Sequence, residues 1–309
     1  MPIGLGLASS HCPNMFIPVE QWETRYKHAV ADVPQPLAAS RETLEVKQDY
    51  ARRIKIGFTA LREQLERYRP DALVMVSDDH GEMYDEKACM PAIGIFTGDS
   101  AGGNYRLNFT DPGAAPESIT LRTHTELANF LAHGLVQRDF DIAVSSVFKP
   151  MGIAGGLGHG FTRTAPKVMP NLDIPVIMIL LNCYYEPLPS ARRCLALGRA
   201  IADVFAERPE RIAIFGTGGL SHDPRGPRAG WIDEPLDRAV LAALAAGKPE
   251  KLESLYQLNS DTYHGGTGEI RAWLVAAAAM GSVQAKVIDY MPIYHAITGV
   301  AFASWTPVT

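Results

Sequence analysis

The feature that most constrains the fold is the alternation of short, continuously apolar segments with longer amphipathic ones. Apolar segments of strand length occupy Ile3–Ala8, Ala72–Val76, Ala92–Phe96, Ile142–Val147, Val176–Leu181 and Ile212–Phe215. An unbroken apolar run of this length is typical of a strand that is covered on both faces. We therefore expect a mostly buried central sheet.

The segments between these strands carry helical patterns. In 48–68, apolar or aromatic side chains recur every three or four residues and form one face of a helix (Ile54, Phe58, Leu61, Leu65 and Tyr68). Further helices are predicted at 118–134, 191–206, 234–246 and 268–280. Strands that alternate with helices predict an α/β fold with helices flanking the sheet. With no linker-like segment, residues 1–309 are expected to form a single catalytic domain, although the order of the strands is not readable.

Composition excludes several classes of protein. The chain has 309 residues, of which 47% are hydrophobic and 20% charged, and its net charge is −5. This mixture is that of a globular protein, and the acidic balance argues against nucleic-acid binding. The longest apolar run, 174–181, is too short to span a membrane.

The cysteines and the N-terminus predict the compartment. Four cysteines lack any C-x-x-C pairing, which argues for reduced thiols and against structural zinc. No basic segment precedes the first apolar stretch, so no signal peptide is predicted. We expect a cytoplasmic protein. Long irregular segments at 10–47 and 81–117 are expected to carry function.

Three histidines follow predicted strands: His11, His80 and His222. In α/β sheets, ligands bind beyond the carboxyl ends of the strands. The alternative is that these are three unrelated loop histidines, which is the better interpretation for any one of them alone. For all three together, we favour convergence on one site.

Histidine serves both as metal ligand and as general base near neutral pH. Two histidines and one carboxylate form the facial arrangement of non-haem iron(II) enzymes. By their positions in the sequence, the candidate carboxylate ligands are Asp78, Asp79, Glu82, Asp223 and Glu269. Spacing does not choose among them, and Asp78 and Asp79 are also placed to orient His80 from outside the metal shell.

Two glycine-rich loops match no common motif. Residues 216–230 read GTGGLSHDPRGPRAG, which predicts a loop of unusual backbone shape but lacks the dinucleotide and nucleophile-elbow spacings. The loop at 152–160 carries His159. On spacing alone, this second loop is an ordinary one with an incidental histidine.

The segment GTGGLSHDPRGPRAGWIDEPLDR at 216–238 resembles the signature of the class III extradiol ring-cleavage dioxygenases. The similarity is strongest to the catalytic (beta) subunits that act on protocatechuate. Other segments agree in order: SSHCP at 9–13, VSDDH at 76–80, LGHGF at 157–161, LLNCYYEPLPSARRCLALG at 180–198 and GEIRAWLVAAAAMG at 268–281. The resemblance covers nearly the whole chain.

The resemblance implies a single α/β domain with one iron(II) ion, Fe(2+). It makes His11, His80 and Glu269 the iron ligands, His222 the catalytic acid/base, and His159 a second active-site histidine. Glu269 also has a structural interpretation, since an acid in the first turn of a helix interacts favourably with the helix dipole.

Three positions depart from the family pattern. Asp78 stands where the family has asparagine, and Tyr294 and His295 stand where relatives carry small polar substrate contacts. We expect Tyr294 and His295 to contact the substrate, and the ring substituent of the substrate remains open.

The expected reaction is cleavage of a catechol-type ring by O₂ to a muconic semialdehyde-type product. The alternatives are a metal-dependent hydrolase with the same ligands and a non-catalytic Memo-like relative. In some relatives a small separate subunit covers the site. Here we expect a homodimer or larger homo-oligomer, with the long loops or such a lid subunit closing the pocket.

Overall fold

The computed structural model describes residues 3–84, 87, 89–104, 117–147, 156–224 and 226–307. Within these ranges the strands are β1 Ile3–Ser9, β2 Ala72–Ser77, β3 Ile93–Phe96, β4 Ser100–Asn104, β5 Ser118–Arg122, β6 Ala143–Ser145, β7 Val176–Leu181, β8 Ile212–Thr217, β9 Lys286–Ile293 and β10 Thr298–Trp305. The helices are α1 Trp22–Ala29, α2 Leu44–Tyr68, α3 Thr125–Val136, α4 His159–Val168, α5 Ala191–Phe205, α6 Glu234–Ala245 and α7 Ile270–Ala279.

An eight-stranded sheet runs through the molecule in the order β6-β3-β7-β2-β8-β1-β10-β9. The four neighbouring strands β7, β2, β8 and β1 are parallel, whereas β10 pairs antiparallel with β1 and β9 pairs antiparallel with β10. The carboxyl ends of β2, β8 and β1 therefore lie side by side. That edge is where the three strand-end histidines were expected.

Helices cover both faces of the sheet, which explains the continuous apolar runs. In β2, Val74 and Val76 pack into the core shared with α3, α5, α6 and α7. Leu73 and Met75 pack into the core shared with α2 and α4 on the other face. The predicted α/β fold with a buried central sheet is confirmed.

The sequence-based prediction was wrong at several places. The helix predicted at 118–134 begins only at Thr125, because residues 118–122 form β5 and pair with β4 in a separate two-stranded sheet. Helix α1 lies within the segment expected to be irregular, and α4, β9 and β10 were not predicted. Residues 85, 86, 88 and 105–116 of the segment 81–117, and 152–155 of the second glycine-rich loop, lie outside the described residues.

No helix in the described ranges has the length and apolar character needed to cross a membrane. The four cysteines are free, as predicted, and three of them are buried.

Candidate active site

The ends of β1 and β2 and the start of α7 bring two histidines and two carboxylates together. One donor atom from each of His11, Asp78, His80 and Glu269 lies within 4.8 Å of the others. His11 and Glu269 are 1% exposed. The structure thus assembles three residues that the family resemblance assigned to the metal, and adds Asp78 to them.

Hydrogen bonds fix His11 so that one ring nitrogen remains for a ligand. Its Nδ1 lies 3.0 Å from the hydroxyl of Thr217, at the end of β8. Its Nε2 is buried and has no hydrogen-bond partner among the described residues, although it lies 3.4 Å from a carboxylate oxygen of Glu269. When an imidazole binds a metal through one ring nitrogen, a hydrogen bond at the other nitrogen commonly fixes the orientation of the ring.

His80 is held by the tight turn that follows β2. The carboxylate of Asp79 accepts hydrogen bonds from the backbone N–H groups of Glu82, Met83 and Tyr84, at 2.7 to 3.0 Å. The turn places Nε2 of His80 3.4 Å from Glu269. This nitrogen too is buried, and Oδ2 of Asp78 lies 2.7 Å from it.

Glu269 ends the short 3-10 turn Gly265–Glu269 that leads into α7. Its carboxylate accepts hydrogen bonds from the backbone N–H of Gly219 and the hydroxyl of Tyr184. Burial opposes ionisation, but the neighbouring charges of His222 and His11 hold the pKa of Glu269 well below its ordinary value. A buried carboxylate that stays ionised among histidines is suited to binding a cation.

His222 lies beside this cluster, with Nε2 3.3 Å from a carboxylate oxygen of Glu269. Its Nδ1 is 2.9 Å from the carbonyl of Leu220, and because a carbonyl only accepts, Nδ1 carries a proton. Burial would lower the pKa of His222, but the carboxylate of Glu269 raises it above the ordinary value. This histidine is therefore placed to hold a proton on Nε2 next to the metal-binding residues.

The ring of His222 packs directly against backbone at two glycines. A Cβ on Gly266 would lie 2.0 Å from Nε2 of His222, and one on Gly219 would lie 2.4 Å from its Cε1. Only glycine allows the chain to approach the imidazole so closely at these two positions. Gly219 of the loop 216–230 and Gly266 of the turn before α7 thus confine one side chain.

His159 begins α4, and its ring lies 5.0 Å from that of His11 and 4.7 Å from that of His80, measured between centroids. Its Nδ1 is 2.8 Å from the carboxylate of Glu82, which also accepts from the backbone N–H of His159. Burial lowers the pKa of His159 to about 4, which favours a neutral ring. The interpretation of His159 as an incidental loop histidine does not fit this placement.

The other candidate carboxylates have separate roles. Asp79 stabilises the turn after β2, and Asp223 accepts from the backbone N–H groups of Gly226 and Arg228. Both are satisfied by backbone donors. Glu82 binds His159.

Tyr184 was missed by the sequence reasoning. It follows β7, and its hydroxyl donates to Glu269 and lies 3.5 Å from Nε2 of His222. Burial raises the pKa of Tyr184 well above its ordinary value, so the hydroxyl remains a donor. Its position after a buried strand, like that of His11 and His80, was the available signal.

Tyr294 and His295 are not among the residues that the structure brings to the histidine–carboxylate cluster. His295 lies 2.6 Å from Glu42 and 3.0 Å from Glu23, and the hydroxyl of Tyr294 donates to Glu234. Their expected contact with substrate stays a prediction.

Comparisons with known proteins identify a family to which the chain is similar. The family model described as the catalytic LigB subunit of aromatic ring-opening dioxygenase matches residues 8–302. A protein of Photorhabdus laumondii named 2,3-dihydroxyphenylpropionate/2,3-dihydroxicinnamic acid 1,2-dioxygenase is 27% identical, over 89% of this chain and 95% of its own length. A protein of the same name from Mycobacterium ulcerans is 29% identical, over 78% and 87% respectively.

A relative from Dechloromonas aromatica, also named as a 2,3-dihydroxyphenylpropionate/2,3-dihydroxicinnamic acid 1,2-dioxygenase, is 30% identical over 59% of this chain and 53% of its own length. The fold is similar to the crystal structure of an uncharacterized protein from Escherichia coli K12. The TM-score is 0.51 and the identity 17%, over 80% of this chain and 91% of that one.

Proposed function

The chain belongs to the family of catalytic LigB subunits of aromatic ring-opening dioxygenases, which are oxidoreductases, and on this basis we propose that it is an iron(II)-dependent extradiol dioxygenase. Its substrates would be a catechol-type aromatic diol and O₂, and its product a muconic semialdehyde-type compound. The observation that carries the proposal is the pair of buried Nε2 atoms, on His11 and His80, that each lie 3.4 Å from the carboxylate of Glu269.

The residues fit an iron(II) ion. Two neutral imidazoles and one carboxylate are the donor set of non-haem iron(II) oxygenases, and they leave coordination positions for substrate and oxygen. His11, His80 and Glu269 would hold the ion. An iron(II) ion held there would supply a Lewis acid that lowers the pKa of the diol's hydroxyl groups, and the electrons that activate O₂.

Two histidines would move the protons. Because Glu82 binds Nδ1 of His159, Nε2 of that neutral ring remains to accept a proton from a hydroxyl group of the diol. His222, whose Nε2 lies next to Glu269, would donate a proton to oxygen as the O–O bond breaks. Tyr184 would keep the carboxylate of Glu269 in position by donating to it.

The names of the relatives suggest the first substrate to test. The proteins from Photorhabdus laumondii and Mycobacterium ulcerans are named for 2,3-dihydroxyphenylpropionate and 2,3-dihydroxicinnamic acid. We therefore propose a catechol with a carboxylate-bearing side chain, with protocatechuate, gallate, catechol and dihydroxypyridines as comparisons.

The test is an oxygen-electrode assay. The chain is purified anaerobically, loaded with iron(II) and mixed with each diol. We expect oxygen uptake that requires both iron and diol, with a yellow, conjugated product. Turnover of an ester or amide without oxygen uptake would favour a metal-dependent hydrolase instead, and no turnover of any diol would contradict the proposal.

A further inference from the structure

We propose that Asp237 is a positioning residue that holds His222 in place through the backbone of Ser221. Asp237 lies on α6 and is fully buried, at 0% exposed. The inference rests on the proposed function, in which His222 donates a proton. It adds to that function a residue that lies outside the histidine–carboxylate cluster.

The carboxylate of Asp237 accepts hydrogen bonds from two separate segments. Its Oδ1 lies 2.7 Å from the backbone nitrogen of Ser221, and its Oδ2 lies 2.8 Å from the hydroxyl oxygen of Tyr290 on β9. Ser221 is buried and directly precedes His222 in the chain. The N–H group that Asp237 holds is therefore one residue away from the imidazole that would donate the proton.

Ser221 has two further anchors. Its Oγ accepts from the backbone N–H of Asp233, the N-cap residue of α6, at 2.8 Å. Its carbonyl accepts from the backbone N–H of Gly299 on β10, at 3.1 Å. With Asp237 on its N–H, Ser221 is bonded at all three of its polar groups. This leaves the residue that follows it little freedom to move.

The close packing at Gly299 keeps the carboxylate of Asp237 next to the loop. A Cβ on Gly299 would lie 2.1 Å from Oδ2 of Asp237 and 3.3 Å from Cβ of Leu220. Glycine at this position lets the carboxylate lie directly against β10. Leu220 is also the residue whose carbonyl accepts from Nδ1 of His222. The contacts of Asp237 thus lie against the same short segment that orients the imidazole.

The hydrogen bond to Ser221 does not depend on the charge of Asp237. Burial raises the pKa of Asp237 to about 7, so both the ionised and the protonated form occur near neutral pH. Each form has an oxygen that accepts from an N–H group, and so does the amide of asparagine. Removing the acceptor altogether would leave the buried N–H of Ser221 unsatisfied, which favours a shift of the loop.

The first test measures kcat and KM for oxygen uptake in the iron(II)-loaded, full-length chain. A misplacement of ~1 Å typically costs ~10²-fold, so Asp237→Ala should lower kcat by ~10–10²-fold, with iron content and KM close to wild type. Asp237→Asn keeps an acceptor oxygen and should restore most of the kcat.

Tyr290→Phe is the matched control, because it removes the other hydrogen bond of the same carboxylate and leaves the one from Ser221. Its kcat should stay near wild type even where its denaturation midpoint falls. Wild-type kcat in folded Asp237→Ala, or an equal loss in Asp237→Asn, would overturn the inference. Should Asp237→Ala not fold, Gly299→Ala is measured in its place, since its Cβ would displace Oδ2 of Asp237.

The second test does not depend on turnover. In the metal-free chain labelled with ¹⁵N-histidine, NMR detects the proton on Nδ1 of His222, and the signal is assigned by its absence from His222→Phe. This proton should exchange slowly in wild type and Asp237→Asn, and faster in Asp237→Ala or Gly299→Ala. Unchanged exchange in these last two variants would overturn the inference. Faster exchange in a chain whose wild type turns over no diol would overturn the proposed function and leave the positioning of His222 standing.

Discussion

Replacing Gly266 with alanine should disable His222 while leaving the metal in place. The new Cβ would lie 2.0, 2.2 and 2.3 Å from three atoms of the imidazole, Nε2, Cε1 and Cδ2. Real Cβ contacts stay above 3.0 Å, so the ring would have to move by about 1 Å. The hydrogen bond from Nδ1 of His222 to the carbonyl of Leu220 and the contact of the ring with Gly219 oppose that movement.

A displacement of ~1 Å in a catalytic group typically costs ~10²-fold in rate, which corresponds to ~2.7 kcal/mol in the activation free energy. We expect Gly266→Ala to lower kcat/KM by about this factor. The iron content should remain near one ion per chain, since the three atoms nearest to the new Cβ all belong to His222 and none to the proposed metal ligands. Overpacking should also cost ~1–3 kcal/mol of stability, measured as a lower denaturation midpoint.

The assay is oxygen uptake at several diol concentrations, with metal analysis of the same sample. Gly94→Ala is the matched control, because a Cβ there meets its neighbours at 3.5 to 3.6 Å, an ordinary contact. His222→Phe alone should keep iron and lose ~10²–10⁴-fold in rate. If Gly266→Ala acts through His222, the double variant should be little slower than His222→Phe alone. Wild-type kcat/KM in a folded Gly266→Ala variant would refute the reasoning.

The remaining predictions concern the metal, the second histidine, the thiols and the assembly. His11→Ala and His80→Ala should lose stoichiometric iron, and retention of iron with activity in both would show that the ligands are misassigned. His159→Ala should slow turnover and weaken substrate binding, which steady-state kinetics will show; an unaffected variant would return His159 to a structural role. In native protein a thiol reagent should modify Cys89 alone, because Cys89 is exposed whereas burial raises the pKa of Cys12 to about 11, and all four thiols should react after unfolding. Light scattering of the active chain should show a homodimer or larger homo-oligomer; a fully active monomer would contradict this, and an inactive, iron-loaded chain rescued by a small second subunit would indicate a separate lid.

Much of the site could be predicted because it lies at strand ends. His11, His80 and His222 follow runs that are apolar on both faces, and such runs form neighbouring parallel strands. Their carboxyl ends meet at one edge of the sheet. The sequence could not order the strands, so only the family resemblance brought Glu269, at the start of α7, to the same place.

Other parts of the fold carry no clear periodic signal. Strand β9 includes a lysine, an aspartate and a proline and is half-exposed along much of its length, so its apolar pattern is interrupted. Helix α4 contains an internal proline, Pro166, and begins with a glycine-rich stretch, which argues against a helix on local propensity. Strand β9 forms through its pairing with β10, and helix α4 forms through its packing on one face of the sheet.

Contacts between distant segments were equally unreadable. The pairing of Glu82 with His159 joins residues 77 positions apart, and that of Tyr184 with Glu269 joins residues 85 positions apart. Neither follows from spacing. The two aspartates after β2 differ only in their partners, since Asp79 is satisfied by backbone N–H groups and Asp78 is not.

The most direct test of the proposed activity is the fate of molecular oxygen. The iron(II)-loaded chain is given its best diol under ¹⁸O₂, and the aldehyde product is reduced at once so that its oxygen does not exchange with water. Mass spectrometry should find two ¹⁸O atoms in each product molecule, together with a ring opened beside, and not between, the two hydroxylated carbons. A product with one labelled atom, or with none, would contradict extradiol ring cleavage by this site.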